Sequence, residues 1–144
     1  MDAGITDRNL RIEVFALCEG VSDQNGRLSI LGTFDSITAT SFPVVLQRAS
    51  VVIRFRFWPM ESKNHSFRLI MSDPDGREVT APIEASATLS PAVEDQSTAY
   101  NVILNVHSVR LENPGEHTID FYLDRHLEGR LPFTVFHTSA PDTK

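Results

Sequence analysis

The sequence predicts an all-β protein, an antiparallel β-sandwich of the immunoglobulin-like or a related type with about seven to eight strands. The 144 residues include twelve Val, nine Ile and eleven Thr, and these β-branched residues favour strands over helices. Turn-forming residues separate short apolar segments at fairly even intervals, and no helical period persists beyond about two turns. Strands with one apolar face form a sheet with one apolar face, and that face must be buried. Two such sheets packed face to face bury both. A small closed barrel is the structural alternative, because alternation alone does not separate the two.

Length and composition indicate one domain at residues 10–137, with tails at 1–9 and 138–144. No run of about 18 apolar residues occurs, so no membrane-spanning helix is expected. The net charge of −6 argues against binding to nucleic acid or anionic lipid. Met1–Arg11 lacks the pattern of a secretion signal, and Cys18, the single cysteine, cannot form an internal disulfide. A cytoplasmic location is therefore expected.

The first two strands are predicted to form a hairpin. Apolar residues alternate with a period of two, and the positions that share one face are Leu10, Ile12, Val14, Ala16 and Cys18. Cys18 is thus expected to be a buried small hydrophobe rather than a nucleophile. Asn25-Gly26 supplies the left-handed backbone that a tight reversal needs, so Leu10–Gly20 and Arg27–Thr38 are expected to pair.

The clearest strand covers Ala49–Trp58, where one face carries Val51, Ile53, Phe55 and Phe57. Ser66–Ser72 follows as a strand with Phe67, Leu69 and Met71 inward. Asp73-Pro74-Asp75-Gly76 has the residues of a hairpin turn, so Arg77–Ala85 is its expected partner strand. A calcium loop is not expected there, because Glu78 comes too early to complete one.

The second half of the chain is predicted to hold a long connection and three more strands. Ser86–Ser97 shows no sustained period and is the expected crossover. The predicted strands are Tyr100–Leu111, Thr118–Asp124 and a last one through Leu131, Phe133 and Val135. Pro132 cannot donate a ladder hydrogen bond, so its strand is expected to be an edge or bulged there.

Several motifs stand out together: Leu17-Cys18-Glu19 with Asn25-Gly26-Arg27-Leu28-Ser29-Ile30-Leu31-Gly32-Thr33-Phe34-Asp35, then Phe42-Pro43, Asp73-Pro74-Asp75-Gly76-Arg77-Glu78, and Pro114-Gly115-Glu116-His117 with Asp124 and Gly129-Arg130-Leu131-Pro132. These motifs resemble an uncharacterised bacterial family, a domain of unknown function. The resemblance spans most of the chain between Arg11 and Val135 and rests on turn and core residues. It implies a compact β-sandwich and brings no catalytic residue.

No motif indicates catalysis, so the protein is not expected to be an enzyme, and no cofactor or metal is expected. The seven glycines are scattered at turns and form no phosphate-binding loop. The histidines lack the spacing of metal ligands and are expected at the surface and in turns. If a site exists among them, the first residues to inspect are His107, His117 and Asp120.

An arginine-rich face is the candidate ligand site. Arg54 and Arg56 share the outer face of their strand, Arg68 lies on the corresponding face of the next strand, and Trp58 stands at the end. Such a set suits a carboxylate, a phosphate or an aromatic partner. The alternative is that the arginines lie over the sheet and pair with acidic residues of neighbouring strands.

Apolar residues at predicted outer positions form the candidate interface: Phe15, Leu17, Val52, Ile70, Ile103, Tyr122 and Phe136. If contiguous, they mark a partner surface. The alternative is that bulges shift the alternation by one and place some of them in the core. Few charges guard the edge of Tyr100–Leu111, and unprotected edges pair with other chains, so homodimerisation is the leading expectation.

These observations predict a non-enzymatic protein-interaction or assembly module that acts as a homo-oligomer or with another protein partner. The alternative is a small-ligand or carbohydrate-binding β-sandwich that uses Arg54, Arg56, Trp58 and Arg68. An unrecognised hydrolase, built from residues that converge from separate loops, is the third hypothesis.

Overall fold

The computed structural model describes residues 10–58, 64–90 and 96–139. Nine strands lie in these ranges, one or two more than expected. In chain order they are β1 (Leu10–Gln24), β2 (Arg27–Thr33), β3 (Ser36–Ala39), β4 (Val44–Phe57), β5 (Asn64–Ser72), β6 (Ile83–Thr88), β7 (Thr98–Leu111), β8 (Gly115–Leu123) and β9 (His126–His137). The tail predicted at residues 1–9, and most of the one predicted at 138–144, lie outside the described residues.

The strands form two sheets, and the predicted β-sandwich is confirmed. Sheet 1 has the order β2-β1-β4-β7 and sheet 2 the order β3-β9-β8-β5-β6. Neighbours pair antiparallel except β3 and β9, which run parallel. In the ranges that the structure describes, no helix is long and apolar enough to cross a membrane.

The core lies between the two sheets and is built from the inner faces of the central strands. Positions predicted to face inward on β4 and β5 are at most 3% exposed, and they are Val51, Ile53, Phe55, Phe57, Phe67, Leu69 and Met71. The rings of Phe55, Phe67 and Phe121 meet at its centre with centroids 5.9 to 6.2 Å apart. Such aromatic contacts join β4 of sheet 1 to β5 and β8 of sheet 2.

Two segments differ from the predicted hairpins. Strand β2 ends at Thr33, and the chain then enters sheet 2 as β3, so the predicted partner strand Arg27–Thr38 is split between the sheets. The reversal after β5 forms at the predicted turn, where the Asp73 N–H donates to Arg77 O at 2.8 Å and Glu78 bridges Ser72 of β5. The Asp73 carboxylate stabilises this turn by accepting hydrogen bonds from the N–H groups of Asp75 and Arg77, both at 2.9 Å. Pairing is then interrupted, and β6 continues it only from Ile83, so the predicted strand Arg77–Ala85 is not continuous.

The alternation of buried residues shifts by one position within β7. Val102, Leu104 and Val106 are buried as expected, but the next buried positions are Val109 and Leu111. Between them Ser108 has a φ of 53°, in the left-handed region. The register with β4 is the same on both sides of Ser108, so the change of face accompanies this local backbone conformation and not an extra residue.

Pro132 lies in β9, which has β8 on one side and β3 on the other. Strand β9 is therefore an edge of sheet 2 only where β3 does not reach it. The parallel pairing with β3 starts only at Ser36 and Thr134, where the Thr134 N–H donates to Asp35 O at 2.9 Å. The nitrogen of Pro132, two residues earlier, points the same way but precedes the start of β3. Its missing N–H therefore leaves no ladder bond unmade there.

Candidate functional site

The β1–β2 hairpin folds back across the outer face of sheet 1. Strand β1 pairs with β4 only as far as Cys18, which lies opposite Ser50. The tip of the hairpin then reaches Asn101, whose Nδ2 is 3.1 Å from Asp23 Oδ2 and 3.3 Å from Gly26 O. As β1 advances from Leu10 to Cys18, its partners on β4 run back from Phe57 to Ser50. Asn101 lies opposite Arg54, which is between those two ends, so the hairpin tip has turned back over the part of the sheet that β1 has already passed.

This hairpin buries part of the outer face of sheet 1. Cys18 and Val52 are fully buried, although neither belongs to the core cluster between the sheets. Val21, Leu28 and Ile30 are half-buried on the hairpin itself. The prediction of a buried Cys18 is confirmed, and burial raises the pKa of its thiol.

Arg54 and Arg56 are held by contacts within the protein. Glu13 accepts from both, with Arg54 Nε 3.0 Å from its Oε1 and Arg56 Nε 2.7 Å from its Oε2. Arg56 also donates to Ser97 Oγ at 3.1 Å and Arg54 to Asn101 Oδ1 at 3.3 Å. The hydrogen bond from Arg56, helped by that from Arg54, lowers the pKa of Glu13 despite the cost of burial. Both arginines thus pair with an acidic neighbour, the alternative considered for them.

The structure does not assemble the predicted arginine face. Arg68 lies in β5 of sheet 2, where its Nε is 3.4 Å from Glu84 Oε2. Trp58 follows the end of β4 in sheet 1 and is 37% exposed. The expectation that Arg68 continues the face of Arg54 and Arg56 is wrong, because the chain changes sheets between β4 and β5.

The predicted outward positions of Phe15 and Leu17 are also wrong. Leu17 is 1% exposed within the core cluster, and Phe15 packs against that cluster. The cause is a shift in register between Ile12 and Val14, where β1 bulges opposite β4. The extra residue exchanges the two faces of the strand, as the alternative interpretation anticipated.

The other predicted interface residues lie on two different outer faces. Val52 and the half-buried Ile103 sit opposite each other on sheet 1, and Val52 is fully buried rather than exposed. Ile70 and Tyr122 are half-buried on the outer face of sheet 2, and Phe136 of β9 is 51% exposed. The seven residues therefore do not form one contiguous surface.

The three residues chosen for inspection are likewise apart. His107 is exposed in sheet 1, whereas His117 is fully buried on the inner face of β8. Asp120 lies on the outer face of β8 and accepts from Arg130 Nε at 2.7 Å and Nη2 at 3.0 Å. In the described part of the chain no group of three or more His, Cys, Asp or Glu side chains is placed to hold a metal ion.

Two histidines expected at the surface are buried. His65 is 7% exposed and His117 0%, because each occupies an inner position of its strand, in phase with the core residues that follow it. The Nδ1 of His117 lies 3.1 Å from Gly115 O, whereas its Nε2 has no hydrogen-bond partner among the described residues. His65 has a carboxylate partner, Asp124.

A hollow of about 730 Å³ lies on the outer face of sheet 2. The register places three of its side chains in a row across β8, β5 and β6, with Tyr122 opposite Arg68 and Arg68 opposite Glu84. Its lining further includes Ser66, Ile70, Ser86 and Arg125. The hollow thus combines two guanidinium groups, one carboxylate, hydroxyls and an aromatic ring.

The turn between β8 and β9 presents Arg125 to this hollow. Asp124 and Arg125 form the turn, with φ values of 50° and 73°. Asp124 anchors it to β5, since Oδ1 accepts from the Ser66 N–H at 2.9 Å and Oδ2 lies 2.5 Å from His65 Nδ1. Burial raises the pKa of Asp124, but the hydrogen bonds from His65 and Ser66 outweigh it and leave the pKa below its ordinary value.

The sequence predicts a strand that ends at Asp124 and a turn after it, whereas the turn consists of Asp124 and Arg125 and β9 starts at His126. The role of these two residues was not predicted, because neither is a glycine or asparagine that marks a left-handed turn. The available signal was the end of alternation after Leu123.

Comparison with solved structures finds similarity to parts of larger proteins. A β-glucosidase from Listeria innocua, in complex with glucose, has a TM-score of 0.51 and 8% identity, over 91% of this chain and 16% of that one. The alkylpurine DNA glycosylase AlkC from Pseudomonas fluorescens, bound to DNA with an abasic site analog, has a TM-score of 0.46 and 10% identity, over 90% of this chain and 31% of that one. The likeness to the glucosidase concerns the fold alone.

An immunoglobulin-like protein from Pseudomonas aeruginosa is nearer in length. It has a TM-score of 0.40 and 13% identity, over 88% of this chain and 95% of that one. No curated protein matches the sequence. A family model does match it, over residues 13–136, which include most of β1 and nearly all of β9. The resemblance to a domain of unknown function is thereby confirmed, and the chain belongs to this family of unknown function, DUF6941.

Proposed function

We propose that the protein is a non-enzymatic assembly module that pairs with a second copy of itself along the edge of β7. The observation that carries this proposal is the exposed edge. Strand β7 pairs with β4 at thirteen positions on one side, and no strand of the described residues lies on its other side. Such an edge offers a row of backbone N–H and C=O groups to another strand.

The first ten residues of β7 lack the charged residues and prolines that usually prevent an edge strand from pairing with another chain. From Thr98 to His107 there is no Lys, Arg, Asp, Glu or Pro. Features that disfavour edge pairing occur only later in the strand, namely the left-handed backbone of Ser108 and the charge of Arg110. Ten residues span about 33 Å, longer than the usual strand, so the open segment is long enough for a full pairing.

The other edge strands are shorter. Strands β2, β3 and β6 have seven, four and six residues, and β7 has fourteen. Antiparallel pairing of β7 with β7 of a second copy creates a two-fold interface that closes on itself. It joins the two copies of sheet 1, each of four strands, into one continuous sheet.

Charges placed on the β7 edge test the proposal. Asn105→Lys with His107→Lys puts two ammonium groups at exposed positions of β7, and His107→Lys alone leaves the contact from Ser50 to Asn105 intact. The matched control, Ser29→Lys with Leu31→Lys, adds the same charges to exposed positions of the opposite edge, β2. Solution mass is measured by light scattering across a dilution series.

We expect a dimer for the wild type and the β2 control, and monomers for the β7 variants with unchanged circular dichroism. A wild type that is monomeric at every concentration, or a β7 double variant that stays dimeric, overturns the proposal.

Small-ligand binding is the second candidate function, and the hollow on sheet 2 favours it. Of the residues predicted for that function, only Arg68 lines the hollow. Arg54 and Arg56 are bound to Glu13 in the other sheet.

A further inference from the structure

We propose that the hollow on the outer face of sheet 2 binds a small organic monocarboxylate, with Arg125 and Arg68 as the groups that hold its carboxylate. This goes beyond assembly through β7, which lies in the other sheet. The volume of about 730 Å³ falls within the range of small-molecule sites, roughly 300 to 1,000 Å³. A planar guanidinium matches a carboxylate with two parallel hydrogen bonds.

The charge of the lining favours a monoanion. Arg68 and Arg125 contribute two positive charges and Glu84 one negative charge, which leaves one net positive charge in the hollow. The whole chain has a net charge of −6, so this local excess runs against its surroundings. A carboxylate balances the lining, whereas a phosphate dianion leaves a negative charge uncompensated.

The guanidinium of Arg125 is free to bind a ligand, and the turn that carries Arg125 is fixed. It makes no hydrogen bond or ion pair with the described residues. Its φ of 73° lies in the left-handed region, which a residue other than glycine adopts only with backbone strain. The neighbouring Asp124 fixes the turn through Ser66 and His65. A strained arginine at the rim of a hollow, where glycine or asparagine fits without strain, points to a ligand that needs the guanidinium.

The remaining lining suits the organic part of the ligand. Tyr122 and Ile70 are half-buried and offer an aromatic and an aliphatic wall. Ser66 and Ser86, opposite each other on β5 and β6, add hydroxyl groups. The contact between Arg68 and Glu84 is a single one of 3.4 Å with side chains 50% and 65% exposed, so Arg68 can turn to a ligand at little cost.

Titration by nuclear magnetic resonance with benzoate tests the site. Benzamide, its uncharged isostere, and inorganic phosphate serve as comparison probes. We expect saturable shifts from benzoate at Ser66, Arg68, Tyr122 and Arg125, with benzamide at least tenfold weaker. No saturable shift in the hollow, equal binding of benzamide, or tighter binding of phosphate each overturns the proposal.

Variants of Arg125 separate binding from folding. Arg125→Asn and Arg125→Gly remove the guanidinium and accept the positive φ, so we expect at least a tenfold loss of benzoate affinity with an equal or higher melting temperature. The matched control Arg110→Gln removes a paired arginine of sheet 1 and leaves benzoate binding unchanged. Full affinity in Arg125→Asn contradicts the assignment. We expect the His107→Lys variant, which is designed to disrupt the β7 dimer, to keep its benzoate affinity. The two proposals, the benzoate site and the β7 dimer, are therefore tested independently.

Discussion

Arg54 and Glu13 face each other across β4 and β1, with Arg54 Nε 3.0 Å from Glu13 Oε1. Glu13 is the residue at which β1 shifts register, and Arg56 takes its other oxygen at 2.7 Å. The carboxylate therefore joins two arginines of β4 to the irregular point of β1. The sequence pattern predicted that Arg54 and Arg56 form part of an open cationic face. In the structure both are instead paired with Glu13.

Replacement of this carboxylate should destabilise the fold at neutral pH. The pKa of Glu13 is lowered in the folded state, so its contribution is complete above the unfolded-state value of about 4.3 and is lost as the pH falls through the lower folded value. We expect Glu13→Gln to cost about 1 kcal/mol of unfolding free energy at about pH 7 and less at about pH 3. Urea unfolding at both pH values measures this.

The control for Glu13 is Glu112→Gln. Glu112 also pairs with an arginine, Arg110, at 2.7 Å, but both side chains are more than half exposed, at 58% and 61%. Its replacement should leave stability unchanged at either pH. A Glu13→Gln difference that is the same at both pH values contradicts the role given to its charge.

Loss of the hairpin anchor should expose Cys18. Asn101→Ala removes the contacts from Asn101 to Asp23 and Gly26, which hold the hairpin tip over sheet 1 together with a contact of 3.4 Å from Arg54 Nη1 to Gly26 O. Cys18 of β1 is fully buried at the point where the hairpin leaves β4 and folds over the sheet, so its reaction with a thiol reagent reports hairpin opening. We expect the labelling rate to rise about tenfold. Gln47→Ala, at an exposed position of β4, is the control, and equal rates for all three proteins would show that the tip contacts do not hold the hairpin down.

Gly129 marks a close approach between the two sheets. A Cβ at this position lies 2.7 Å from Ile12 Cδ1 and 3.2 Å from Phe15 Cδ2. We expect Gly129→Ala to lower the free energy of unfolding by about 1 to 3 kcal/mol. Ile12→Val removes the clashing methyl group and should recover part of the loss in the double variant. Gly20→Ala, where nothing lies within 4 Å, should be nearly neutral, and a matching loss there would point to backbone effects instead.

His117 should be replaceable with a gain in stability. Its Nε2 is buried without a hydrogen-bond partner among the described residues, and the centroid of its ring lies 5.1 Å from that of the Phe133 ring. His117→Leu exchanges an unsatisfied polar atom for an apolar group of similar size, so we expect about 1 kcal/mol of added stability by urea unfolding. His107→Gln at an exposed position should change nothing. Clear destabilisation by His117→Leu means that the contact with Gly115 outweighs the unpartnered nitrogen.

The inner positions of β5 and of the Ala49–Phe57 part of β4 were predictable because apolar residues recur there at every second position. Phe55 and Phe67 were predicted to face inward from this period of two, and both are buried. The Asn25-Gly26 reversal was equally predictable, since its φ values of 55° and 83° are those that this dipeptide favours.

The candidate site was predictable only in part. Arg68 was chosen with Arg54 and Arg56, whereas its partners in the hollow are Tyr122, Glu84 and Arg125. Cross-strand neighbours depend on which strands share a sheet, and adjacent segments such as β4 and β5 do not reveal this. The acidic partner of Arg54 lies 41 residues away in sequence.

By itself the sequence determined the fold class, the places of the turns and the inner faces of the regular strands, because those depend on local dihedral preferences and on side-chain alternation. Only the tertiary structure decided the faces beyond a bulge, as at Leu17 after Glu13, since one extra residue reverses every later position. It also decided that a hairpin covers Val52 and that an anchored turn brings Arg125 to Arg68. Such relationships arise from contacts between distant segments, which no local pattern encodes.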